Sequence, residues 1–388
     1  MNQCIAHSGL RTVKQKLCFT EEEAVKFAKQ LGVIEEWEKD EDVLSLAKDR
    51  DKRTTSVNTE DGDKTDNNPL LPTDSSDGAL GLGAEKPYSE LDHKKRHVCV
   101  VKPRRGVASD DVHLCPNLSS VKQAFRKIFG SIIFASTSED GRNTHDSVLV
   151  QEFAVGTEYA VDFISKDGNH KMVALWKYDK RPKNGAPFVY HATELINATT
   201  SSRAKEIGEY VKNVLDRLGI RWGMTHNEVI VDDNGPRLVE VNCRQHNTDF
   251  APLTSMAIGY NALDVLLAAY LGDMETQDDA DDDTVTWDRV PEIPSTKVYC
   301  AIVHLVSHVE GIIEGIRQDL IEVIKELPSV AAMEVYPHFS IGANIRKTVD
   351  ITTDAGWIHL INDDKRQFQD DYEVILHLMP ELFLVNDE

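Results

Sequence analysis

Apolar positions recur with two different periods along this chain, and the switches between them mark out most of its elements. In FTEEEAVKFAKQLGV, Ala24, Val25, Phe27, Ala28 and Leu31 fall at helical spacing behind Phe19 or Thr20 and an acidic first turn, and Gly32 closes the helix. Residues 1 to about 37 thus read as helix, extended stretch, helix. HVCVVKP reads as a buried strand, followed by the loop PRRGVASDD and an amphipathic helix from Leu118 to Phe129. VLVQEFA and EYAVDFIS are strands joined at Val155-Gly156, with KMVALWKYD as a third beyond the Asp167-Gly168 turn. SSRAKEIGEYVKNVLDRLG predicts a long helix ended by Gly219. MTHNEVIVD and PRLVEVN follow as strands hinged at Asp233-Asn234-Gly235, and YNALDVLLAAYLG is an apolar helix ending at Gly272.

Two tracts break the pattern. Residues 38–94 shift to Asp, Lys, Ser, Thr, Asn, Gly and Pro with few large apolar side chains, and so predict a disordered insertion. Residues 273–292, with DMETQDDADDD at their start, read as an acidic linker. Beyond it, 293–388 forms a C-terminal α+β module: a strand from Lys297 to Val306, a helix from Ile313 to Lys325, another strand, WIHLIN, and the helix of FQDDYEVILHLM. The expected class is α+β, with antiparallel sheets and flanking helices. No internal repeat stands out.

Composition narrows the function classes. At 388 residues and 41% hydrophobic content the chain has material for a sizeable core. A net charge of −22 argues against nucleic acid or an anionic lipid surface as partner. The short stretch Lys102–Arg105 is locally basic and suits a small polyphosphate. Six scattered cysteines without a Cys-x-x-Cys pair indicate neither a zinc site nor a disulfide framework, which fits a reducing, cytoplasmic setting. No run of eighteen apolar residues is present to span a membrane.

The chemistry concentrates in HNEVIVDDNGPRLVEVNCR. Residues about equidistant from the Asp233-Asn234-Gly235 turn face each other, so Glu228 and Glu240 can converge. Asn242 and Arg244 follow Glu240 at spacing two, on one face of a strand. Hard oxygen donors of this kind suit Mg²⁺ on phosphate, and a guanidinium suits a transferring phosphoryl group. A second candidate is VVKPRRGVAS, where a strand delivers Lys102 into a loop with Gly106 and Ser109. Weaker candidates are His191 and Glu194 facing an acceptor, Lys177 and Lys180 on a carboxylate, and His304 with His308, whose spacing of four falls on a strand. Cys243, by alternation, is expected to point into the core.

With these residues in place the chain resembles the ATP-grasp superfamily from about Met1 to Leu271, and its C-terminal module is similar to that of amino-acid ligase-like members. The resemblance implies an ATP-grasp fold with an N-terminal lobe or lid (1–37 and 95–130) and a C-terminal lobe (131–272). It implies that Lys102 contacts ATP phosphates, that the loop from Arg105 through Gly106 to Ser109 closes over them, and that Gln151, Glu152 and Phe153 form the hinge that reads adenine. Glu158 resembles the nucleotide-side acid. Glu228, Glu240 and Asn242 match the ligands of Mg²⁺ (or Mn²⁺), and Arg244 matches the arginine near the acyl phosphate. Gln245, His246 and Asn247 stand where related ligases hold substrate, and many relatives have glycines there. The family normally begins with a further small α/β domain and another ATP-binding lysine, both missing ahead of MNQCIAHSGLRTVKQK. The activity implied is ATP-dependent joining of a small carboxylate, such as an amino acid, to an amine, with a homodimer as one open assembly state. The alternatives are a biotin-carboxylase-like ATP/bicarbonate enzyme and a catalytically silent nucleotide-binding module.

Overall fold

A computed structural model describes residues 1–35, 98–106, 111–133, 143–246, 250–271 and 285–386. The insertion expected at 38–94 and the linker up to residue 284 lie outside the described residues, as do Ser109 and Asn247.

The smaller lobe is a four-stranded antiparallel sheet in the order β1 (Gln15–Cys18), β4 (Val148–Glu152), β2 (Cys99–Pro103), β3 (His113–Cys115). Helices α2 (Glu21–Gln30) and α3 (Leu118–Ile128) cover it. The local chemistry of each helix explains its limits. Thr20 caps α2 by accepting from the Glu23 N–H, and Glu21, Glu22 and Glu23 in the first turn oppose the positive end of the helix dipole. Asn117 and Ser120 close a reciprocal capping box on α3, which buries Leu118, Val121, Ala124, Phe125 and Ile128 against the strands.

The larger sheet has eight antiparallel strands in the order β12 (Val330–Val335), β14 (Gly356–Asn362), β10 (Tyr299–His304), β7 (Ala186–Leu195), β6 (Asn169–Lys183), β5 (Thr157–Lys166), β8 (Gly223–Asp232), β9 (Gly235–Asn242). One face packs on α4 (Ser202–Leu218), which Ser201 caps and Gly219 ends in a left-handed conformation at φ 69°. Tyr159, Val161, Phe163, Leu175, Val229, Val231 and Leu238 point to that face, into Ile207, Val211 and Leu215 of the helix. The alternate residues therefore turn to the other face, which is partly covered by α5 (Phe250–Ile258) and α6 (Ala262–Leu271). No single helix among the described residues is long and apolar enough to cross a membrane, although the bent α5–α6 pair passes by length and composition together.

Two boundaries differ from the sequence expectation. Only β1 and α2 of the first 35 residues belong to the lid. The first helix, α1 (Asn2–His7), buries Ile5 in the α4 core, and Thr12 and Val13 pair with Leu238 at the edge of β9, because that edge would otherwise expose its backbone. The C-terminal segment is also not a free-standing module. It has its own apolar cluster, with helices α7 (Gln318–Lys325) and α8 (Lys365–Leu378) and a small sheet of β13 (Asn344–Ile345), β11 (Gly311–Ile316) and β15 (Phe383–Val385). Its strand β10 nevertheless hydrogen-bonds directly to β7, which makes one continuous sheet. The Tyr372 hydroxyl donates to Asp179 at 2.7 Å across the same junction.

Candidate active site

The site lies on the face of the large sheet opposite α4, at the end that meets the small lobe. Glu228 on β8 stands directly across from Glu240 on β9. Counting evenly outward from the two-residue turn would pair Glu228 with Val239. A β-bulge absorbs Val239, so the register passes from Val229–Leu238 to Glu228–Glu240 and brings both carboxylates to one face. The Val239 carbonyl is held by the Asn2 side-chain amide at 3.1 Å. Asn242 donates to Glu240 at 2.8 Å, which leaves its own amide oxygen as a further hard donor beside two carboxylates. That donor set fits a small oxygen-seeking cation such as Mg²⁺.

Lys102 reaches this row from the other lobe. Its Nζ lies 3.5 Å from Glu240, and only 16% of its side chain is exposed. Arg104, Arg105 and Gly106 continue the loop as exposed residues. Between the lobes, β4 of the small sheet, which ends with Gln151 and Glu152, leads through 153–156 into β5 of the large one. The Gln151 side chain is turned to Gln15 at 3.3 Å. Glu152 accepts from the Lys14 N–H at 2.8 Å and faces Arg237 at 3.5 Å. Arg237 also donates to the Val155 carbonyl, tying the crossing to the β8–β9 hairpin. Gly156 sits at φ 152°, where a β-carbon would fall 2.4 Å from the Val231 carbonyl oxygen, so no larger residue fits this approach. The Gln151 and Glu152 side chains are thus engaged within the protein, and the Phe153 ring lies 6.2 Å from that of Phe188.

Behind the row stands a hydrogen-bonded relay that sequence reasoning missed. Asp162 Oδ1 is 2.9 Å from His226 Nδ1, and His226 Nε2 is 3.4 Å from Glu228. Trp176 Nε1 donates to the second oxygen of Asp162 at 2.9 Å. Burial alone would raise the carboxyl of Glu228. The hydrogen bond from His226 and the charges of Lys180, His226 and Lys102 outweigh it and hold the group at about 2. Burial likewise works against a charged His226, but its bonds to Asp162 and Glu228 raise the imidazole to about 9. Asp162, His226 and His246 each offer a donor atom within 4.8 Å of one another. Both nitrogens of His226 are already directed at carboxylates, and His246 is stacked between His226 and Phe250 at 4.1 and 3.9 Å, so the geometry is that of a relay and not of a converging metal site. The signal was present in the sequence: His226 is two residues from Glu228, and Asp162 lies on the face of Glu158.

The remaining expectations divide. Glu158 lies on the same face and pairs with Lys180 at 2.7 Å. Burial raises its carboxyl against the opposing pull of Lys180. Lys177 falls on the opposite face, buried across from Glu194, so neither lies in the site. His191 is buried on that side too, near Asp179 and with Nδ1 toward the Val189 carbonyl. His304 bonds Asp354 inside the C-terminal region. Arg244 is exposed, its guanidinium on the Gln245 carbonyl at 2.8 Å, while His246 lies beneath with its Nδ1 3.4 Å from Asp162. Cys243 is exposed and not in the core, because β9 ends at Asn242 and strand alternation stops there.

Residues 96–250 match the family model described as an ATP-grasp domain. The chain carries an ATP-grasp domain, and its fold is the ATP-grasp fold. Among curated proteins it is 28% identical over 172 residues to Dapdiamide A synthase of Enterobacter agglomerans, covering 44% of this chain and 39% of that protein. It is 26% identical over 99 residues to Carnosine synthase 1 of Gallus gallus, covering 26% of this chain and 10% of that protein. The chain thus spans well under half the length of these relatives. Among solved structures, an L-amino acid ligase from Bacillus licheniformis superposes with a TM-score of 0.62 at 14% identity, covering all of this chain and 71% of the other. A carboxyaminoimidazole ribonucleotide synthase from Aspergillus clavatus complexed with ATP gives 0.56 at 10% identity, covering 98% and 72%. At such identities the likeness concerns the fold.

Proposed function

We propose that this chain is an ATP-dependent carboxylate–amine ligase of the cytoplasm, acting on small molecules. The observation that carries the reading is the meeting of Glu228, Glu240 and Asn242 on one face with Lys102 arriving from the other lobe. The names of the relatives support it, two being titled synthases and one solved structure an L-amino acid ligase, and all six cysteines of this chain are free thiols, as a reducing compartment favours.

In this reading the nucleotide lies in the cleft with its base at the 151–153 crossing and its phosphates toward Lys102 and the loop from Arg105 and Gly106 to Ser109. Glu228, Glu240 and Asn242 hold Mg²⁺ or Mn²⁺, which neutralises phosphate charge when bound. A substrate carboxylate oxygen attacks the γ-phosphorus, the bond to the β,γ-bridging oxygen breaks, and ADP leaves with that electron pair. The amine then attacks the acyl carbon, inorganic phosphate departs, and the amine proton passes to solvent. Arg244 is assigned to negative charge on the acyl phosphate, and Gln245, His246 and Asn247 to the acid. The side chains contribute positioning and charge neutralisation in place of a covalent intermediate.

Replacing Glu240 by Gln tests this. Amine-dependent ADP release is expected to fall by at least about 100-fold with the melting temperature unchanged, since one metal-directed charge is lost and little packing. Turnover retained at the wild-type level would sink the assignment. Supplying labelled bicarbonate without an amino acid is expected to give neither ADP nor captured label.

A further inference from the structure

Helix α6, ALDVLLAAYL, is apolar almost all round, yet the core uses only one side of it. Val265, Ala268 and Ala269 are buried, and Val265 and Ala269 pack on Ile164, Val173 and Trp287. Leu263, Leu267, Tyr270 and Leu271 follow one another at steps of four, three and one, which places them on the opposite face, and they are between 43% and 62% exposed. Trp222, just ahead of β8, extends this stripe: it is also exposed, and its ring centroid lies 5.3 Å from that of Tyr270. The one charged residue of the helix, Asp264, is turned back to the helix start, where it accepts from the Asn261 N–H at 3.0 Å. The outward stripe therefore carries no charge, in a chain of net charge −22. A helix with apolar residues on every side is ordinarily covered on every side, and this one is covered on half.

We infer that this stripe is the contact face of a homodimer, in which α6 packs antiparallel on α6 of a second copy about a two-fold axis. The charge pattern selects a second copy over a different partner. Near a two-fold axis each residue meets its own counterpart, so any charge there would face like charge. A strongly acidic chain approaches itself closely only through uncharged surface, and this stripe supplies it. A partner found by opposite charge would gain nothing from it, whereas leucine on leucine is self-complementary. The size agrees. Five large side chains about half exposed leave on the order of 500 Å² of apolar surface in water, at the upper end for the largest patch of a monomer. That is close to the roughly 600 Å² per partner buried by the smallest specific interfaces, and the flanks of the helix supply the rest. Trp222 and Tyr270 are residue types that carry interface energy, and they already hold each other in place, so little freedom is lost when they dock. Leu267, at the middle of the stripe, is the residue set nearest the axis.

The test is analytical ultracentrifugation of the whole chain, with no nucleotide present, so its outcome is separate from that of the ligase reading. Over about 1 to about 200 μM protein the mass of the wild type is expected to rise from one chain toward two. Leu267→Asp should raise the dissociation constant by at least about 30-fold, since it sets two like charges at the axis and removes apolar contact. Its melting temperature should stay near that of the wild type, because the side chain is exposed. Mixing Leu267→Asp with Leu267→Lys should restore the dimer, a rescue that only a face meeting itself provides. If Leu267→Asp fails to fold, Tyr270→Ser serves in its place, with an expected weakening of about 10-fold. A wild type that stays a single chain at every concentration would overturn the inference. So would a dimer that Leu267→Asp leaves intact, since its contact would lie elsewhere. Flotation of single chains with phosphatidylcholine vesicles, lost in Leu267→Asp, would assign the stripe to a lipid surface and overturn it as well.

Discussion

Lys102 Nζ and Glu240 Oε2 lie 3.5 Å apart although they belong to different sheets, one in the lid and one in the large lobe. Their contact spans the cleft in which the phosphates of a nucleotide would lie. Glu240 is about one-third exposed, so the pair is screened by water and contributes little to holding the lobes together. On the proposed function it is the contact between two halves of a nucleotide site.

Lys102→Met is therefore expected to act on binding far more than on stability. The affinity for MgATP should fall by about 10- to 100-fold, with a melting temperature within a few degrees of the wild type. Calorimetric titration beside a thermal melt checks both, and a large loss of melting temperature with affinity intact would contradict the assignment.

Glu228→Gln should raise the Mg²⁺ concentration needed for half-maximal ADP release by about 10-fold or more, since a neutral amide is a weaker partner for a hard cation than a carboxylate. Removal of divalent metal with EDTA is expected to stop ADP release, and added Mg²⁺ to restore it. Release that continues in EDTA would exclude the proposed role of the Glu228–Glu240 pair.

His226 touches Glu228 and is itself fixed by Asp162, so its expected effect is on the aim of the carboxylate. Losing such an outer partner typically costs about 10- to 100-fold in metal affinity or activity. For His226→Gln, kinetics at graded Mg²⁺ should show the loss mainly in metal dependence, with saturating Mg²⁺ returning much of the rate. A loss that Mg²⁺ leaves untouched would assign His226 elsewhere.

His191 supplies a pH-dependent stability term away from the site. Burial pushes its imidazole down to about 4 from an ordinary value of 6.5. Between these two values the unfolded chain binds a proton that the folded chain refuses. The contribution of His191 is therefore complete above pH 6.5, is lost as the pH falls toward 4, and is flat below that. The gap corresponds to about 3 kcal/mol. Denaturant unfolding of the wild type and His191→Gln at pH 7 and pH 4.5 should show the wild type losing more stability on acidification, and equal losses would refute the assignment.

Much of the fold was legible because its signals are local. The α2 cap at Thr20, the end of α4 at Gly219 and the turn at Asp233-Asn234 each involve neighbouring residues whose backbone preferences act within a few positions. The opposed Glu228 and Glu240 were legible only in part: the turn brings their strands together, but regular pairing from it would set Glu228 against Val239, and the bulge puts Glu240 there instead. Lys180 was harder to separate from Lys177: alternation puts them on opposite faces, but only the partners Glu158, Tyr178 and Tyr190 tell which face is the site. The extra turn away from regular alternation at Cys243 was invisible, because the end of β9 is set by where pairing with β8 stops.

The sequence by itself determined α2, α3, α4 and the β8–β9 hairpin, because side-chain periodicity and turn chemistry act along the chain; its pattern from Ile313 to Lys325 reads as one helix, where the structure has β11 up to Ile316 and a helix only from Gln318. Only the tertiary structure decided the register, the reach and the joins. The bulges at Val239 and His191 aim Glu240 and Tyr190, the meeting of two sheets brings Lys102 to Glu240, and the pairing of β7 with β10 merges the C-terminal strands into the large sheet. The two joins depend on charges or backbone hydrogen bonds between residues far apart in the chain, and the two bulges interrupt strand alternation at points that no periodic pattern marks.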